Sequence, residues 1–195
     1  MQATSQIVLA STSKYRRELL ARLGLRFEVA APDVDEIPLP NEAPQNTARR
    51  LAEAKARAVA TRFPQAIVIG SDQVAVLEGT TLGKPGNHAG ALRQLKAMRA
   101  KEVVFHTALC LYNAASAQAE TRVVPYCVRF RDYSDAQIEH YLRREQPYDC
   151  AGSARCEGLG IALIAEMRGG DPNALIGLPL IALTEMLAAQ GVQVI

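Results

Sequence analysis

The sequence predicts an α/β fold with a mixed sheet flanked by helices, and three observations support it. Short apolar runs, such as residues 6–10 and the stretch AIVIGSDQVAVLEG, are typical of buried strands. The amphipathic stretch QNTARRLAEAKARAVATRF between them is typical of a helix. Two long alternating segments, EVVFHTALCLYN and AETRVVPYCVRFRDY, predict an antiparallel hairpin. Helices between strands, together with an antiparallel pair, indicate a sheet that contains both strand directions.

The first half of the chain alternates strands with helices. The strand at residues 6–10 precedes a predicted helix over Tyr15–Leu23, which Gly24 ends because glycine readily adopts the left-handed C-cap. Arg26–Ala30 has the alternation of a second strand, and APDVDEIPLPNEAP is a loop that prolines interrupt. In the long helix that follows, Lys55 falls within the apolar stripe.

Capping residues mark two helices in the second half. Asn87 is a suitable N-cap for HAGALRQLKAM, and Ser134 with Gln137 forms a capping box before the apolar positions of DAQIEHYLRRE. After a glycine-rich segment we expect a strand over Leu159–Ala165 and an apolar helix near Leu178–Ala189.

The composition predicts one globular domain over residues 1–195, whose 49% apolar content supplies a sizeable core. Basic and acidic residues nearly balance at 22 and 20, so we do not expect a general nucleic-acid binder. No apolar run approaches the length of about 20 residues that crosses a bilayer. The four cysteines show no zinc-ligand spacing, which predicts reduced, mostly buried thiols. Since no signal-peptide pattern is present either, we expect a cytoplasmic protein.

The segment LASTSKYRRELL places hydroxyls and positive charge where a strand passes into a helix. The exposed N–H groups and the positive dipole end of a helix N-terminus suit an anion such as phosphate. Ser11, Thr12 and Ser13 add hydroxyl donors, and Arg16 can bind phosphate oxygens in bidentate fashion. The alternative is an ordinary serine N-cap beside solvated arginines.

Four other charged residues complete the inventory of a metal–polyphosphate site. Asp72 follows an apolar run, where a strand is expected to open into a turn, and its burial is costly without a cation. Glu36 lies in the proline-rich loop, and Lys84 lies in a Gly–Lys–Pro turn. Lys55 can either bind an anion or extend its amine to water. The alternative for Asp72 is a structural hydrogen bond.

Seven blocks of the sequence resemble the Maf family of nucleoside triphosphate pyrophosphatases. In chain order they are LASTSKYRRELL, DVDE, LAEAKA, IGSDQV, GKP, CAGSARCEGLG and GGDPNALIGLPL, spread from about Ile7 to Leu187. The resemblance implies a fold like that of the inosine triphosphate pyrophosphatases (Maf/Ham1), two lobes with a central substrate cleft. It also implies a divalent metal cation, Mg²⁺ or Mn²⁺, and hydrolysis between the α and β phosphates.

The same resemblance implies roles for single residues. Ser11, Ser13 and Arg16 match the family's phosphate loop. Glu36 matches its acidic loop residue and Lys55 its helix lysine. Asp72 matches its proposed catalytic base, and Lys84 matches the lysine of its GKP segment. Carboxylates can hold the metal or position water, so we expect Glu36 and Asp72 to do so. Arginine and lysine side chains offset charge on phosphate, which we expect of the three basic residues.

Three further positions indicate the base. The branch of the family that acts on dTTP and UTP has SPRR, DT and IQG segments. At the corresponding positions this chain has Tyr15, Gln73 and Glu157. In these residues it resembles the branch that hydrolyses 7-methyl-GTP. N7-methylation makes guanine cationic, and an aromatic ring gains about 0.5–2 kcal/mol by stacking on a cation. Glu157 can accept hydrogen bonds from guanine N1–H and the exocyclic amine. Lys14 and Ala154 depart from the family, which usually has a proline and an aromatic residue there.

We therefore expect a metal-dependent enzyme that hydrolyses 7-methyl-GTP to 7-methyl-GMP and pyrophosphate and so removes modified nucleotides. Two alternatives stay open. One is a pyrophosphatase for another modified or canonical nucleotide, such as dTTP or UTP, and the other is a nucleotide-binding regulator of cell division that does not hydrolyse. The expected partner is a small-molecule nucleotide, with no nucleic acid and no membrane, and family habit implies a homodimer.

Overall fold

The computed structural model describes residues 6–195, in a chain that divides into two units. Of the described residues, the first unit comprises 6–73 together with Thr107–Val124 and Asp171–Ile195. The second unit comprises Val74–His106 and Pro125–Gly170. A single domain over residues 1–195 and a substrate cleft between two lobes both stay predictions.

Short parallel strands organise the first unit. β1 (Ile7–Ala10) pairs in parallel with β2 (Glu28–Ala30) and with β3 (Ile67–Leu77), which places Ala10 beside Gly70. The other elements of the unit are α1 (Lys14–Ala21), α2 (Pro44–Ala60), the C-terminal part of β5 (Glu102–Asn113), the N-terminal part of β6 (Gln118–Phe130), α5 (Pro172–Ile176) and α6 (Leu180–Ala189).

Aliphatic side chains of the strands, α1 and α6 form the core of this unit. Leu9, Leu20, Ile69, Leu109 and Leu183 belong to one cluster and are fully buried. Burying each such side chain contributes about 1.5–3 kcal/mol. The core thereby fixes β1 and α1, and with them the serine-rich loop that joins the two elements.

A glycine in β3 lets α2 lie directly against the strand. A Cβ atom at Gly70 would be 2.2 Å from the carbonyl oxygen of Ala52 and 2.9 Å from the Cβ of Ala56, so no other residue fits without movement of the helix. Lys55 lies between these two fully buried alanines on the same helix. The close packing therefore carries the lysine towards β3.

The second unit contains two capped helices and antiparallel strands. β4 (Thr80–Leu82) pairs with the end of β3, and β7 (Ile164–Gly169) pairs with the end of β6, both antiparallel. α3 (His88–Met98) begins after Asn87, whose Oδ1 accepts a hydrogen bond from the N–H of Gly90. α4 (Asp135–Glu145) begins with the capping box of Ser134 and Gln137. Both predicted caps are confirmed.

The strands found in residues 6–195 all belong to one mixed sheet of seven strands. Their order is β2-β1-β3-β5-β6-β7, with β4 paired to β3. β5 and β6 are neighbours, as the two long alternating segments predicted. The predicted α/β fold, with a mixed sheet flanked by helices, is confirmed.

Three local predictions were wrong. Residues Leu159–Leu163 form a short 3₁₀-helix and the strand begins only at Ile164, because the chain folds back so closely that a Cβ at Gly160 would lie 2.5 Å from the carbonyl oxygen of Arg155. α1 runs over Lys14–Ala21 rather than Tyr15–Leu23, since its C-terminal end tightens into a turn.

The third concerns the cysteines: Cys110 is buried, but the other three are half-buried, and none of the four forms a disulfide within residues 6–195. In the part of the chain that the structure describes, no helix is both long enough and apolar enough to cross a membrane.

Candidate active site

The loop between β1 and α1 is a tight turn built by two serine side chains. Ser11 is buried, and its Oγ accepts a hydrogen bond from the N–H of Ser13 at 3.1 Å. Ser13 is the N-cap of α1, and its Oγ accepts from the N–H of Arg16 at 3.4 Å. The serine N-cap weighed as an alternative is thus present. Both hydroxyls act as acceptors in these bonds, so each keeps an O–H with which to donate to an anion.

Arg16 is half-buried at the start of α1 and anchored by one nitrogen. Its Nε donates to the carbonyl oxygen of Gly177 at 2.9 Å. Within residues 6–195, its two terminal nitrogens have no hydrogen-bond acceptor. Burial lowers the pKa of Arg16, while the carboxylates of Asp72 and Glu36 raise it, and the guanidinium stays protonated. The terminal nitrogens of the Arg16 guanidinium are therefore suited to bind an anion.

Lys55 joins two carboxylates. Its Nζ lies 2.7 Å from Asp72 Oδ1 and 2.9 Å from Glu36 Oε1. Lys55 is only 5% exposed and Asp72 only 7%, whereas the side chain of Glu36 is 60% exposed. The lysine amine is therefore held in a largely dry ion pair and does not extend to water. Together with the charge of Arg16, which acts on both carboxylates, this makes a compact cluster of predicted site residues.

Asp72 lies inside β3 and not in a turn, contrary to the prediction. Burial raises the pKa of the Asp72 carboxyl above its usual value, and the nearby charges of Lys55 and Arg16 oppose this rise. The carboxylate of Glu36 raises the pKa of Asp72 further. Asp72 can thus accept a proton at a higher pH than an exposed aspartate, which is useful to a general base.

β3 presents different groups to its two faces, because successive side chains of a strand point in opposite directions. Gly70 and Asp72 face α2, where the aspartate meets Lys55. Ser71 faces the other way, and its Oγ lies 2.9 Å from the carbonyl oxygen of Gly177. Gln73 shares that face with Ser71.

The amide of Gln73 is engaged by the protein itself. Its Nε2 lies 2.9 Å from Thr107 Oγ1, 2.9 Å from the carbonyl oxygen of Ala174 and 3.0 Å from that of Leu175. Thr107 Oγ1 in turn donates to the carbonyl of Ala174 at 2.8 Å. These bonds hold the segment around α5 against the sheet. The role in base selection that the family resemblance implies for Gln73 stays a prediction.

Sequence reasoning missed three residues of this arrangement, which are Ser71, Thr107 and Gly177. The only signal for Gly177 was the block GGDPNALIGLPL, which resembled the family but received no role. Ser71 lies beside the predicted base, and Thr107 lies in an alternating strand, where nothing distinguishes it from its neighbours.

Tyr15 is half-buried on the first turn of α1. The Nζ of Lys14 lies 4.8 Å from the centroid of the Tyr15 ring, within the range of a cation–π interaction. The ring therefore already receives a cation from its own chain. Lys14, which departs from the family pattern, is the residue that provides it.

Lys84 belongs to the second unit, in the loop between β4 and α3, and is exposed. The loop is fixed on both sides of it: the carbonyl oxygen of Gly83 accepts a hydrogen bond from Gln94 Nε2 at 2.8 Å, and the N–H of Gly86 donates to the carbonyl oxygen of Tyr148 at 3.1 Å. The expectation of a lysine held in an ordered Gly–Lys–Pro turn fits these contacts.

Glu157, also in the second unit, lies in a charged cluster. Its Oε1 is 3.3 Å from Arg155 Nε, while Arg155 Nη1 is 2.7 Å from Glu145 Oε1. Burial, with the charge of Glu157 as a smaller cause, raises the pKa of the Cys156 thiol to about 12. No hydrogen bond or ion pair in the described chain joins Glu157 to Lys84.

The donors for a divalent metal are two carboxylates. Residues 6–195 contain no group of three His, Cys, Asp or Glu side chains that could enclose an ion. Lys55 Nζ makes its closest contacts with Glu36 Oε1 and Asp72 Oδ1, and no hydrogen bond to Glu36 Oε2 or Asp72 Oδ2 is formed within residues 6–195. Mg²⁺ commonly binds through one or two carboxylates together with substrate phosphates. The donor set therefore fits an ion that arrives with a nucleotide.

Comparison with known proteins identifies the family. The chain matches the family model described as Maf-like protein over residues 6–190. The 7-methyl-GTP pyrophosphatase of Methylobacillus flagellatus is 64% identical over 189 residues, which cover 97% of this chain and 98% of that protein. The 7-methyl-GTP pyrophosphatases of Nitrosospira multiformis and Nitrosococcus oceani are 59% and 58% identical, with at least 97% of both chains covered. The chain therefore belongs to the Maf family, as its sequence blocks predicted.

Proposed function

We propose that the protein is a nucleoside triphosphate pyrophosphatase that hydrolyses 7-methyl-GTP to 7-methyl-GMP and pyrophosphate. The observation that carries the proposal is the buried ion pair of Lys55 and Asp72, extended by Glu36 and placed within the electrostatic reach of Arg16. This cluster combines a proton acceptor with cations suited to phosphate. Relatives that align with nearly the whole chain are named 7-methyl-GTP pyrophosphatases, which supports the choice of nucleotide.

Asp72 is the general base of the proposed reaction. As the oxygen of water bonds to phosphorus, a proton passes from the water to the carboxylate, the anhydride bond between the α and β phosphates breaks, and pyrophosphate leaves. Lys55 holds Oδ1 of Asp72, so Oδ2 is the atom that receives the proton. The raised pKa of the carboxyl favours this transfer.

The groups of the β1–α1 loop bind the phosphates. Arg16, anchored through Nε, offers both terminal nitrogens to phosphate oxygens, and Ser11 and Ser13 donate their hydroxyl protons. Removing one such contact in an active site typically costs about 10²–10³ in rate. Lys84 and Glu157 keep the roles that the family resemblance implies, phosphate neutralisation and base recognition, as predictions.

Tyr15 is the proposed selector of the methylated base. An aromatic ring attracts a positive charge, and the cationic base would take the place of the Lys14 ammonium that lies over the Tyr15 ring. The 7-methylguanine ring carries such a charge and the guanine of GTP does not. Stacking of the cationic base on Tyr15 would favour 7-methyl-GTP by about 0.5–2 kcal/mol.

A divalent cation, Mg²⁺ or Mn²⁺, is part of the proposal. Glu36 would hold it through the oxygen that Lys55 leaves unbound, and Asp72 would hold it through an intervening water, which keeps Asp72 Oδ2 available to accept the proton; when bound, the ion would neutralise charge on the phosphate oxygens.

A cytoplasmic location is supported by the four cysteines, which form no disulfide in the described chain. A protein that acts on small nucleotides without binding nucleic acid is supported by the near balance of 22 basic and 20 acidic residues. A homodimer rests on family habit alone, and light scattering of the purified protein tests it.

The test of function is a pyrophosphate-release assay with 7-methyl-GTP, GTP, dTTP and UTP, each with Mg²⁺, Mn²⁺ or a chelator. We expect the highest kcat/KM for 7-methyl-GTP and no turnover in the chelator. A preference for dTTP or UTP would overturn the base assignment.

Asp72→Asn separates an enzyme from a sensor. It should stop pyrophosphate release while nucleotide binding persists, and the matched variant Asp132→Asn, at an exposed position of the second unit, should leave turnover unchanged. Wild-type protein that binds nucleotides but releases no pyrophosphate would instead be a non-hydrolysing regulator.

A further inference from the structure

We infer that the turn around α5 is a positioning device for Arg16 and that Gly177 is the residue through which it acts. The inference rests on the proposed role of Arg16 in phosphate binding. The carbonyl oxygen of Gly177 accepts a hydrogen bond from Arg16 Nε at 2.9 Å, and it lies 2.9 Å from Ser71 Oγ, whose single hydroxyl proton it shares with the carbonyl oxygen of Ala108 at 2.8 Å. A carbonyl oxygen has two lone pairs, so it can accept from both groups. Gly177 is therefore a fixed anchor that orients the guanidinium before any nucleotide arrives.

Hydrogen bonds hold the turn itself in place. Asp171 is 3% exposed, and its carboxylate accepts hydrogen bonds from the N–H of Asn173 at 2.9 Å and from the N–H of Ile181 at 2.7 Å. One side chain thus ties both ends of the turn. Gly177 ends α5 with a φ of +121° and donates its N–H to the carbonyls of Asn173 and Ala174. Only glycine adopts this φ without strain, so the direction of its carbonyl depends on the residue type.

The same turn is attached to the strand that carries the proposed base. Gln73, next to Asp72, donates to the carbonyls of Ala174 and Leu175, and Thr107 donates to the first of these as well. β3 therefore holds Asp72 on one face and the anchor of Arg16 on the other. These bonds join the turn that anchors Arg16 to the strand that carries Asp72.

This arrangement predicts that Gly177 affects catalysis chiefly through Arg16. An alanine at position 177 would be strained at a φ of +121°, and its Cβ would face Arg16 Nε at 3.4 Å. Gly177→Ala shifts the anchor and misdirects the guanidinium but leaves its charge in place. Small misplacements of a positioned group cost up to about 10²-fold in rate, so we expect kcat/KM to fall by about 10- to 100-fold.

A double-mutant cycle tests the inference. Gly177→Ala, Arg16→Ala and the double variant are compared by kcat/KM for 7-methyl-GTP and by the Kd of its α,β-methylene analogue, which remains measurable when turnover is lost. We expect Gly177→Ala to weaken both quantities in the wild-type background. In the Arg16→Ala background it should change neither by more than about 2-fold, because coupled residues are not additive.

Gly191→Ala is the matched control. Gly191 has a φ of +79°, and a Cβ there would meet nothing within 4 Å, so the variant carries backbone strain without touching the site. Its melting temperature should fall while kcat/KM stays unchanged. If Gly177→Ala does not fold, Ser71→Ala removes the hydroxyl beside the same carbonyl together with its contact to Ala108, and the part of its effect that acts through Gly177 should vanish when Arg16 is absent.

The outcomes separate the inference from the proposed function. Gly177→Ala could lower kcat/KM by the same factor in the Arg16→Ala background as in the wild-type background. That result would overturn the positioning role but leave the proposed function standing. An Arg16→Ala variant with wild-type turnover would overturn the phosphate-binding role of Arg16 on which the inference rests. A Gly177→Ala variant that folds and has wild-type kcat/KM would also overturn the inference.

Discussion

Replacing Lys55 by methionine removes the ammonium between two carboxylates but keeps an unbranched side chain of similar length. Lys55 Nζ lies 2.7 Å from Asp72 Oδ1, and both residues are buried. Deleting one partner of a buried ion pair typically costs about 3–5 kcal/mol, because the other charge is left unpaired in a poorly solvated place. The pKa of Asp72 should rise further, since Lys55 is the main group that opposes the effect of burial.

The loss of folding stability caused by Lys55→Met should increase as the pH rises. In Lys55→Met, the pKa of Asp72 in the folded state lies well above its value in the unfolded chain, so the folded state favours the protonated carboxyl. The resulting stability is fully present below the unfolded-state pKa and is lost as the pH rises through the folded-state pKa. The gap in the free energy of unfolding between wild type and variant should therefore be smallest near pH 4 and approach about 3–5 kcal/mol at pH 8.

Urea denaturation, followed by circular dichroism across this pH range, measures the gap. Asp72→Asn in the Lys55→Met background removes the unpaired charge and should recover most of the stability lost at high pH. Arg49→Met, at an exposed position on the same helix, should change the free energy of unfolding by less than about 0.5 kcal/mol. A gap that does not vary with pH, or a double variant no more stable than Lys55→Met, would refute the reasoning.

Three further predictions concern the base, the pH profile and the packing of α2. Tyr15→Leu should lower the ratio of kcat/KM for 7-methyl-GTP over GTP by about 2- to 30-fold, which corresponds to a cation–π energy of about 0.5–2 kcal/mol, whereas Tyr15→Phe should retain the ratio. Equal losses for both nucleotides would speak against recognition of the charge. The acidic limb of the kcat/KM profile should lie above the ordinary carboxyl pKa of 3.8, because burial raises the pKa of Asp72 and the base must be ionised; a limb at or below that value would contradict the assignment. Gly70→Ala should lower the free energy of unfolding by about 1–3 kcal/mol, since the new Cβ would lie 2.2 Å from the Ala52 carbonyl oxygen, and unchanged urea denaturation would show that α2 can move away.

The parts of the fold that the sequence predicted well are those that local interactions decide. The capping contacts of Asn87, and of Ser134 with Gln137, span three residues, so residue types and spacing suffice to recognise them. The stretch Leu159–Leu163 is different. Its apolar pattern is compatible with a strand, but the backbone contact of Gly160 with Arg155 imposes a 3₁₀ turn, and glycine spacing alone does not reveal that contact.

The same limit explains which parts of the candidate site were predictable. A lysine within an apolar helical stripe is costly to bury unless a carboxylate or another acceptor binds its amine. Lys55 could therefore be predicted as a site residue from the sequence alone. Gly177 could not, because its contribution is a carbonyl group, which every residue possesses, aimed at a side chain 161 positions away in the sequence. The alternation of β3 accounts for both outcomes: Asp72 faces a charged partner that sequence analysis can anticipate, whereas Ser71 and Gln73 face backbone carbonyls that it cannot. The hydrogen bonds of Gln73 to the α5 segment therefore give a structural role to a glutamine at this position, whichever base the nucleotide carries. The presence of this glutamine in one branch of the family does not by itself require that it contact the nucleotide.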